Sequence, residues 1–310
     1  MAEDYPRTLM ELERRFSDET ACRAYLFGLR WPDGFVCPAC GGRQSLAIRR
    51  DLWRCQACRR ETSVTAGTIF QDSKLPLTVW FRAMWQVTSQ KNGMSALGLQ
   101  RVLGLGSYKT AWAMLHKLRR AMVRPGRERL RGVVEVDETY WGGEEEGVHV
   151  RGRGAIEKAL IAVAAEAAPG RGKAIGRIRL RHIADTKRTT LHAFIAQAIE
   201  PGSSVVTDGL ASYCGMEGYG HKPSVQRHQP ADAEHLLPRV HRVASLLKRW
   251  LLGTHQGAIA HEHLDDYLDE FAFRFNRRTS ASRGKLFYRL AQQAVQVEPA
   301  PFDSLVTPKP

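Results

Sequence analysis

No run of eighteen or more apolar residues occurs in the 310-residue chain, and Met1 to Met10 contain no apolar signal core. A bilayer-crossing helix needs about 20 consecutive apolar residues, and a secretory leader needs an apolar centre. The sequence therefore predicts a cytoplasmic protein with no membrane partner. No heptad repeat is present to announce a coiled-coil dimer. Acids are the scarcer charge, with 32 Asp and Glu against 46 Lys and Arg for a net +14. That excess points to a polyanionic partner, nucleic acid before a membrane surface. Apolar and charged fractions of 43% and 25% are those of an ordinary globular protein, and the length suits two or three domains.

Six cysteines are present, and four are paired by spacing. Cys37-Pro38-Ala39-Cys40 and Cys55-Gln56-Ala57-Cys58 are two knuckles, each putting two sulfurs on one side of a turn. That pattern suits tetrahedral thiolate coordination of a structural zinc, and nothing suggests the oxidising compartment a disulfide framework needs. Cys22 and Cys214 have no partner by spacing.

Residues 1–30 read as a helical segment, with a break and fresh N-cap at Ser17-Asp18-Glu19, and 31–66 as a zinc ribbon studded with arginines. Its partner, DNA or protein, is not legible. Residues 67–125 turn helical again: one helix after Pro76, a second capped by Ser95, and a third capped by Ser107 beyond the turn Gly104-Leu105-Gly106-Ser107. A basic helix after a glycine-containing turn is the helix-turn-helix pattern. Lys109, Thr110, Lys117, Arg119 and Arg120 fall on its outer positions as candidate DNA contacts.

From 130 to 292 the pattern is that of one α/β domain, followed by a tail at 293–310. Val133-Val134-Glu135-Val136 reads as a β-branched strand delivering Asp137 and Glu138 at its exit. Ser203-Ser204-Val205-Val206-Thr207 repeats the design and delivers Asp208. Carboxylates at the ends of buried strands are costly unless a cation meets them, and two such strands can converge on one metal. A hairpin loop is expected from Gly142 to Gly154, strands near 158–165 and 174–183, a helix at 188–199, a fifth short strand at 222–228, and helices at 232–252 and 261–275. On the first of those two helices His241 and Lys248 are seven residues apart and so share a face. The histidine is placed to ligate a metal and the lysine to meet a phosphate. Glu135 and Glu138 are spare ligand candidates.

Val136-Asp137-Glu138-Thr139-Tyr140-Trp141-Gly142-Gly143, Thr207-Asp208-Gly209 with Tyr213, Leu246-Leu247-Lys248-Arg249 with Gly253-Thr254-His255, and Phe271-Ala272-Phe273-Arg274-Phe275-Asn276-Arg277-Arg278 together resemble a bacterial insertion-sequence transposase. The group resembled carries an N-terminal zinc ribbon and a ribonuclease-H-like catalytic domain. The resemblance implies an α/β fold: a mixed sheet flanked by helices, preceded by the ribbon and a small helical domain. It also implies a DNA transposase acting in the cytoplasm on the nucleoid. Such an enzyme binds terminal inverted repeats and target DNA as a homo-oligomer, and cleaves and joins ends with two Mg²⁺ or Mn²⁺. Carried over, Asp137 and Asp208 match the first two metal ligands and Lys248 the basic position seven residues beyond the third. His241 stands where Glu is commonest, and an imidazole favours manganese. The alternatives are an inactive DNA-binding regulator and a ribonuclease-H-like nuclease.

Overall fold

The computed structural model describes residues 3–49, 51–124, 126–142, 158–170, 172, 174–225 and 236–306. The expected hairpin loop from Gly143 on, residues 226–228 of the expected fifth strand and the expected helix start at 232–235 lie outside them. The chain divides into two compact units, Met1–Arg124 with Thr279–Pro310, and Pro125–Arg278.

The first unit opens with α1 (Leu9–Arg15) and α2 (Glu19–Arg30), each started by a side-chain cap: Thr8 accepts from the Glu11 N–H, and Asp18 from the Ala21 N–H. The antiparallel ribbon sheet follows, β1 (Ser45–Arg49), β2 (Leu52–Cys55) and β3 (Glu61–Ser63). Its strands are too short and exposed to hold a core alone, and an aromatic cluster ties them to α2: Phe27 meets Trp31 and Trp53 at 4.9 and 4.8 Å between ring centroids, and Trp31 meets Phe35 at 5.0 Å. The Arg30 guanidinium donates to the Ser63 and Val64 carbonyls.

Next come α3 (Leu77–Ser89), α4 (Ala96–Leu103) and α5 (Tyr108–Ala121). Pro76, at the N-cap of α3, makes no capping hydrogen bond, and the Glu19 carboxylate from α2 takes the Leu77 and Thr78 N–H groups instead, at 3.0 and 2.9 Å. Ser95 caps α4, and Gly104 ends it in the left-handed region at φ 63°, where a Cβ is disfavoured. Ser107 stands at the N-cap of α5, but its side chain makes no capping bond, against expectation.

The C-terminal residues join this unit. Helix α9 (Arg283–Ala294) sinks Phe287 among Phe81, Trp85 and Phe16 at 5.6–6.2 Å. The expected boundary at 292 therefore moves to 278. Nor is 293–310 a bare tail, because α10 (Phe302–Val306) buries Leu305 and meets Trp112 of α5 through Phe302. At the start of α9 the chain doubles back on its own beginning. Glu3 pairs with Lys285 and Arg289, and a Cβ built on Gly284 would lie 1.6 Å from the Pro6 carbonyl oxygen. Gly284→Ala is thus expected to unseat residues 3–7 and destabilise the protein by roughly 2 kcal/mol. Thermal melting and proteolysis before Thr8 check this, and an unchanged melt would show that the close approach is not maintained.

The second unit is one five-stranded sheet in the order β6-β5-β4-β7-β8: Ile175–Ile183, Ala159–Ala167, Val133–Trp141, Ser204–Thr207 and Gly220–Pro223. Strands β4, β5 and β6 form an antiparallel meander, while β7 runs parallel to β4, and β8 to β7. Helix α6 (Arg188–Ala198) covers one face, packing Leu191, Phe194 and Ile195 on Val134 and Val136. Helices α7 (Pro238–His255) and α8 (Leu264–Phe275) cover the other through Val240, Val243, Leu247 and Leu268. This is the ribonuclease-H-like mixed sheet that the resemblance implied. Strand β6 is an edge, and the end of α8 closes it: the Asn276 amide accepts from the Ile178 N–H and donates to its carbonyl, as a neighbouring strand would. No helix among the described residues is long and apolar enough to cross a membrane.

Candidate active site and zinc centre

Strand alternation sorts the residues of β4. Val134 and Val136 face α6, so Glu135 and Asp137 face the α7 side together with Trp141. The pairs Val134↔Val205 and Glu135↔Val206, extended two residues along parallel strands, set Asp137 opposite Asp208. Asp208 follows the last residue of β7, but Asp137, expected at a strand exit, lies in the middle of β4, which stays paired with β5 as far as Trp141. The Asp208 carboxylate is aimed by an Asx turn, its Oδ1 accepting from the Leu210 N–H at 3.0 Å.

Glu138, one residue on, serves the other face. The Tyr213 hydroxyl donates to its Oε1 at 2.6 Å. Burial pushes the Glu138 carboxyl above the usual carboxylate range, and the charges of Asp137 and Asp208 add to this against the tyrosine hydrogen bond. Burial likewise raises the Tyr213 phenol, keeping it the donor. Asp137 and Asp208 offer hard carboxylate oxygens of the kind that Mg²⁺ and Mn²⁺ accept, but with His241 they are not among the described groups whose ligand atoms already lie within 4.8 Å of one another.

His241 lies exposed in the first turn of α7, and Lys248 lies half-buried two turns on. Glu135 turns out to hold that helix. Leu237 at the N-cap offers no capping side chain, and the Glu135 carboxylate takes the Arg239 and Val240 N–H groups at 2.6 and 3.1 Å and the Arg239 guanidinium at 2.6 Å. The sequence reading left Glu135 as a spare ligand. The signal that bears on it was an uncapped Leu-Pro helix start, which leaves N–H groups to be met from elsewhere.

The expected DNA contacts on α5 divide. Tyr108 and Lys109 are exposed and Thr110 is half-buried. Lys117 is half-buried, and burial lowers its ammonium below the usual lysine range. Arg119, expected on the outer face, is corrected: it is 1% exposed. Arg120 turns its guanidinium to the Ser304 carbonyl. Spacing alone made Arg120 an outer residue, because the C-terminal segment that it meets comes from far along the chain.

In the ribbon, all four cysteine sulfurs lie within 4.8 Å of one another, with Cys37–Cys58 and Cys40–Cys55 at 3.6 and 3.7 Å. A tetrahedron with Zn–S bonds of about 2.3 Å has sulfurs about 3.8 Å apart, so the cluster fits structural zinc. The Ala39 backbone N–H foremost holds the Cys37 thiol down at about 6, favouring the thiolate that a metal needs.

Residues 129–276 match the family model of the ISXO2-like transposase domain, and 17–61 that of the transposase zinc-ribbon domain. An uncharacterized protein in the transposable element ISH50 of Halobacterium salinarum is 27% identical over 288 residues, covering 84% of this chain and 92% of that one. Among solved structures, a chain of the simian T-cell lymphotropic virus intasome in complex with PP2A regulatory subunit B56 gamma aligns with 61% of this chain and 70% of its own, at 15% identity and a TM-score of 0.32.

Proposed function

Because the chain belongs to the insertion-sequence transposases that carry a zinc ribbon, we propose that it binds the terminal inverted repeats of its element and catalyses metal-dependent end cleavage and strand transfer. The observation that carries this reading is the parallel pairing of β4 with β7, whose register, continued two residues beyond Glu135↔Val206, sets Asp137 beside Asp208. The kinship with a protein of a transposable element supports the same substrate. Asp137, Asp208 and His241 are the proposed ligands of Mg²⁺ or Mn²⁺. Such ions, when bound, stabilise the attacking and leaving oxygens of an in-line phosphoryl transfer. The two aspartates supply hard anionic oxygens, and His241 supplies a neutral imidazole, which leaves the site one charge less negative than a third carboxylate would. Lys248 meets a phosphate near the scissile bond, a contact that positions without reading sequence. Joining two element ends in one reaction calls for at least two copies of the chain, acting in the cytoplasm on the nucleoid.

End recognition is assigned to α4 and α5, and the exposed residues Tyr108 and Lys109 in the first turn of α5 are its proposed contact. Recognition helices offer that end to the major groove. Lys109→Ala is expected to weaken binding to element ends several-fold and to reduce the slope of log affinity against log salt by about one. A fluorescence anisotropy titration across salt concentrations measures it, and an unaltered slope would remove Lys109 from the interface.

The deciding experiment incubates the purified protein with DNA spanning the element's boundaries in Mg²⁺ or Mn²⁺. Nicks at 3′ ends followed by joined strands are expected. Specific binding with no product in either metal would mark the chain as a DNA-binding relic, and cleavage without joining as a nuclease.

A further inference from the structure

Two of the described helices that lack a capping side chain of their own are capped by a carboxylate from a distant element. For α3 the accepting carboxylate is that of Glu19, in a unit without the aspartate pair. For α7 it is Glu135, two residues before Asp137 on the same strand and face. Glu135 is only 3% exposed, so its charge is committed to the helix end and to Arg239. The rest of the Arg239 guanidinium is taken by the Ala174 and Gly172 carbonyls at the β5–β6 connection. Val240, whose N–H ends on Glu135, is the neighbour of His241.

We infer that Glu135 is a positioning residue: it locks the first turn of α7 to strand β4 and so sets His241 at a fixed place relative to Asp137. The inference rests on the proposed assignment of Asp137, Asp208 and His241 as metal ligands. An uncapped helix start frays within its first turn, and His241 stands in that turn. Without the tether the helix body remains packed through Val243, Leu247 and Leu251, while the histidine loses its register with the strand. Groups that orient ligands without touching the metal typically tune affinity by 10–100-fold.

The test measures Mn²⁺ binding to the zinc-loaded full-length protein by the loss of the free-ion paramagnetic resonance signal, alongside thermal melts without Mn²⁺. Glu135→Gln is expected to raise the Mn²⁺ dissociation constant about tenfold at temperatures where the protein stays folded. Glu135→Asp keeps the charge but draws it back one methylene, and serves if the glutamine variant does not fold. Glu19→Gln removes the same kind of cap elsewhere, and is expected to lower the melting temperature while leaving Mn²⁺ affinity unchanged. In a His241→Ala background, Glu135→Gln is expected to have no further effect on affinity, since the two act as one unit. Unaltered Mn²⁺ affinity in Glu135→Gln, with binding still lost in Asp208→Ala, would overturn the inference alone. So would a full effect persisting without His241. Wild-type Mn²⁺ binding in Asp208→Ala would overturn the ligand assignment itself, and the inference with it.

Discussion

Asp208→Ala is expected to reduce end cleavage and strand joining by roughly 10³-fold or more, a loss of about 4 kcal/mol of transition-state stabilisation. The reason lies in the β4–β7 register, which, continued two residues beyond Glu135↔Val206, sets Asp208 beside Asp137. Under the proposed assignment, removing one carboxylate of that pair leaves too few ligands to hold a divalent ion in place. Alanine also deletes the acceptor of the Leu210 N–H, so a local structural effect is mixed with the chemical one. Asp208→Asn separates the two: its carbonyl oxygen retains the turn, and only the charge disappears. Both variants are therefore expected to be inactive, with the asparagine form melting like the parent. Binding to element ends should survive in both, because the proposed recognition surface belongs to the other unit. Cleavage by Asp208→Asn within tenfold of the parent would sink the assignment.

Zinc removal carries the largest expected effect on stability. Structural zinc sites of this kind contribute on the order of 10–16 kcal/mol of binding free energy to folding, far more than a three-stranded ribbon with exposed strands recovers by burial. Chelation, or Cys55→Ser at a sulfur with no exposure, is expected to unfold residues 31–66 and abolish end binding if the ribbon takes part in it. Two tryptophans report the event directly. Trp31 and Trp53 sit 6.0 Å apart in the cluster joining the ribbon to α2, so their emission should shift to the red as metal leaves. The site is also sterically closed. A Cβ on Gly42 would lie 3.1 Å from the Cys55 sulfur, so Gly42→Val should weaken zinc retention without touching a ligand. Unchanged emission and melting after zinc loss verified by atomic absorption would contradict the structural role.

What could be read in advance was whatever depended on neighbours in sequence. The cysteine knuckles, the Asp18 and Ser95 caps, and the short strand ending before Asp208 are local patterns that stand in the fold as expected, whereas the strand expected to end at Asp137 continues to Trp141 because β5 pairs along its whole length. Three features escaped because their partners are remote. Arg119 falls among the basic residues at the end of α5 like a surface residue, yet it is buried. Helix α9 carries an amphipathic pattern that suits any core, and nothing in Arg283–Ala294 says that Phe81 and Trp85, two hundred residues earlier, are its partners. Glu135 looked like one more acid beside a metal site, whereas its partners are N–H groups that spacing does not reveal. Asn276 is intermediate: its motif was visible, but its work as a strand substitute along β6 depends on where the sheet ends.

The division of the chain has a consequence for the order in which the protein is made. The first unit is assembled from Met1–Arg124 and Thr279–Pro310, with the second unit inserted between them. Domains fold as they emerge during synthesis at about 5–20 residues per second, so the N-terminal segment waits roughly 10–30 s at those rates for α9 to supply Phe287. Throughout that interval Phe16, Phe81 and Trp85 lack the ring that they later enclose. The inserted unit, by contrast, has its described strands and helices translated before α9. A nascent chain of this protein thus carries the proposed cleavage site before the ring that completes the aromatic cluster of the first unit is made.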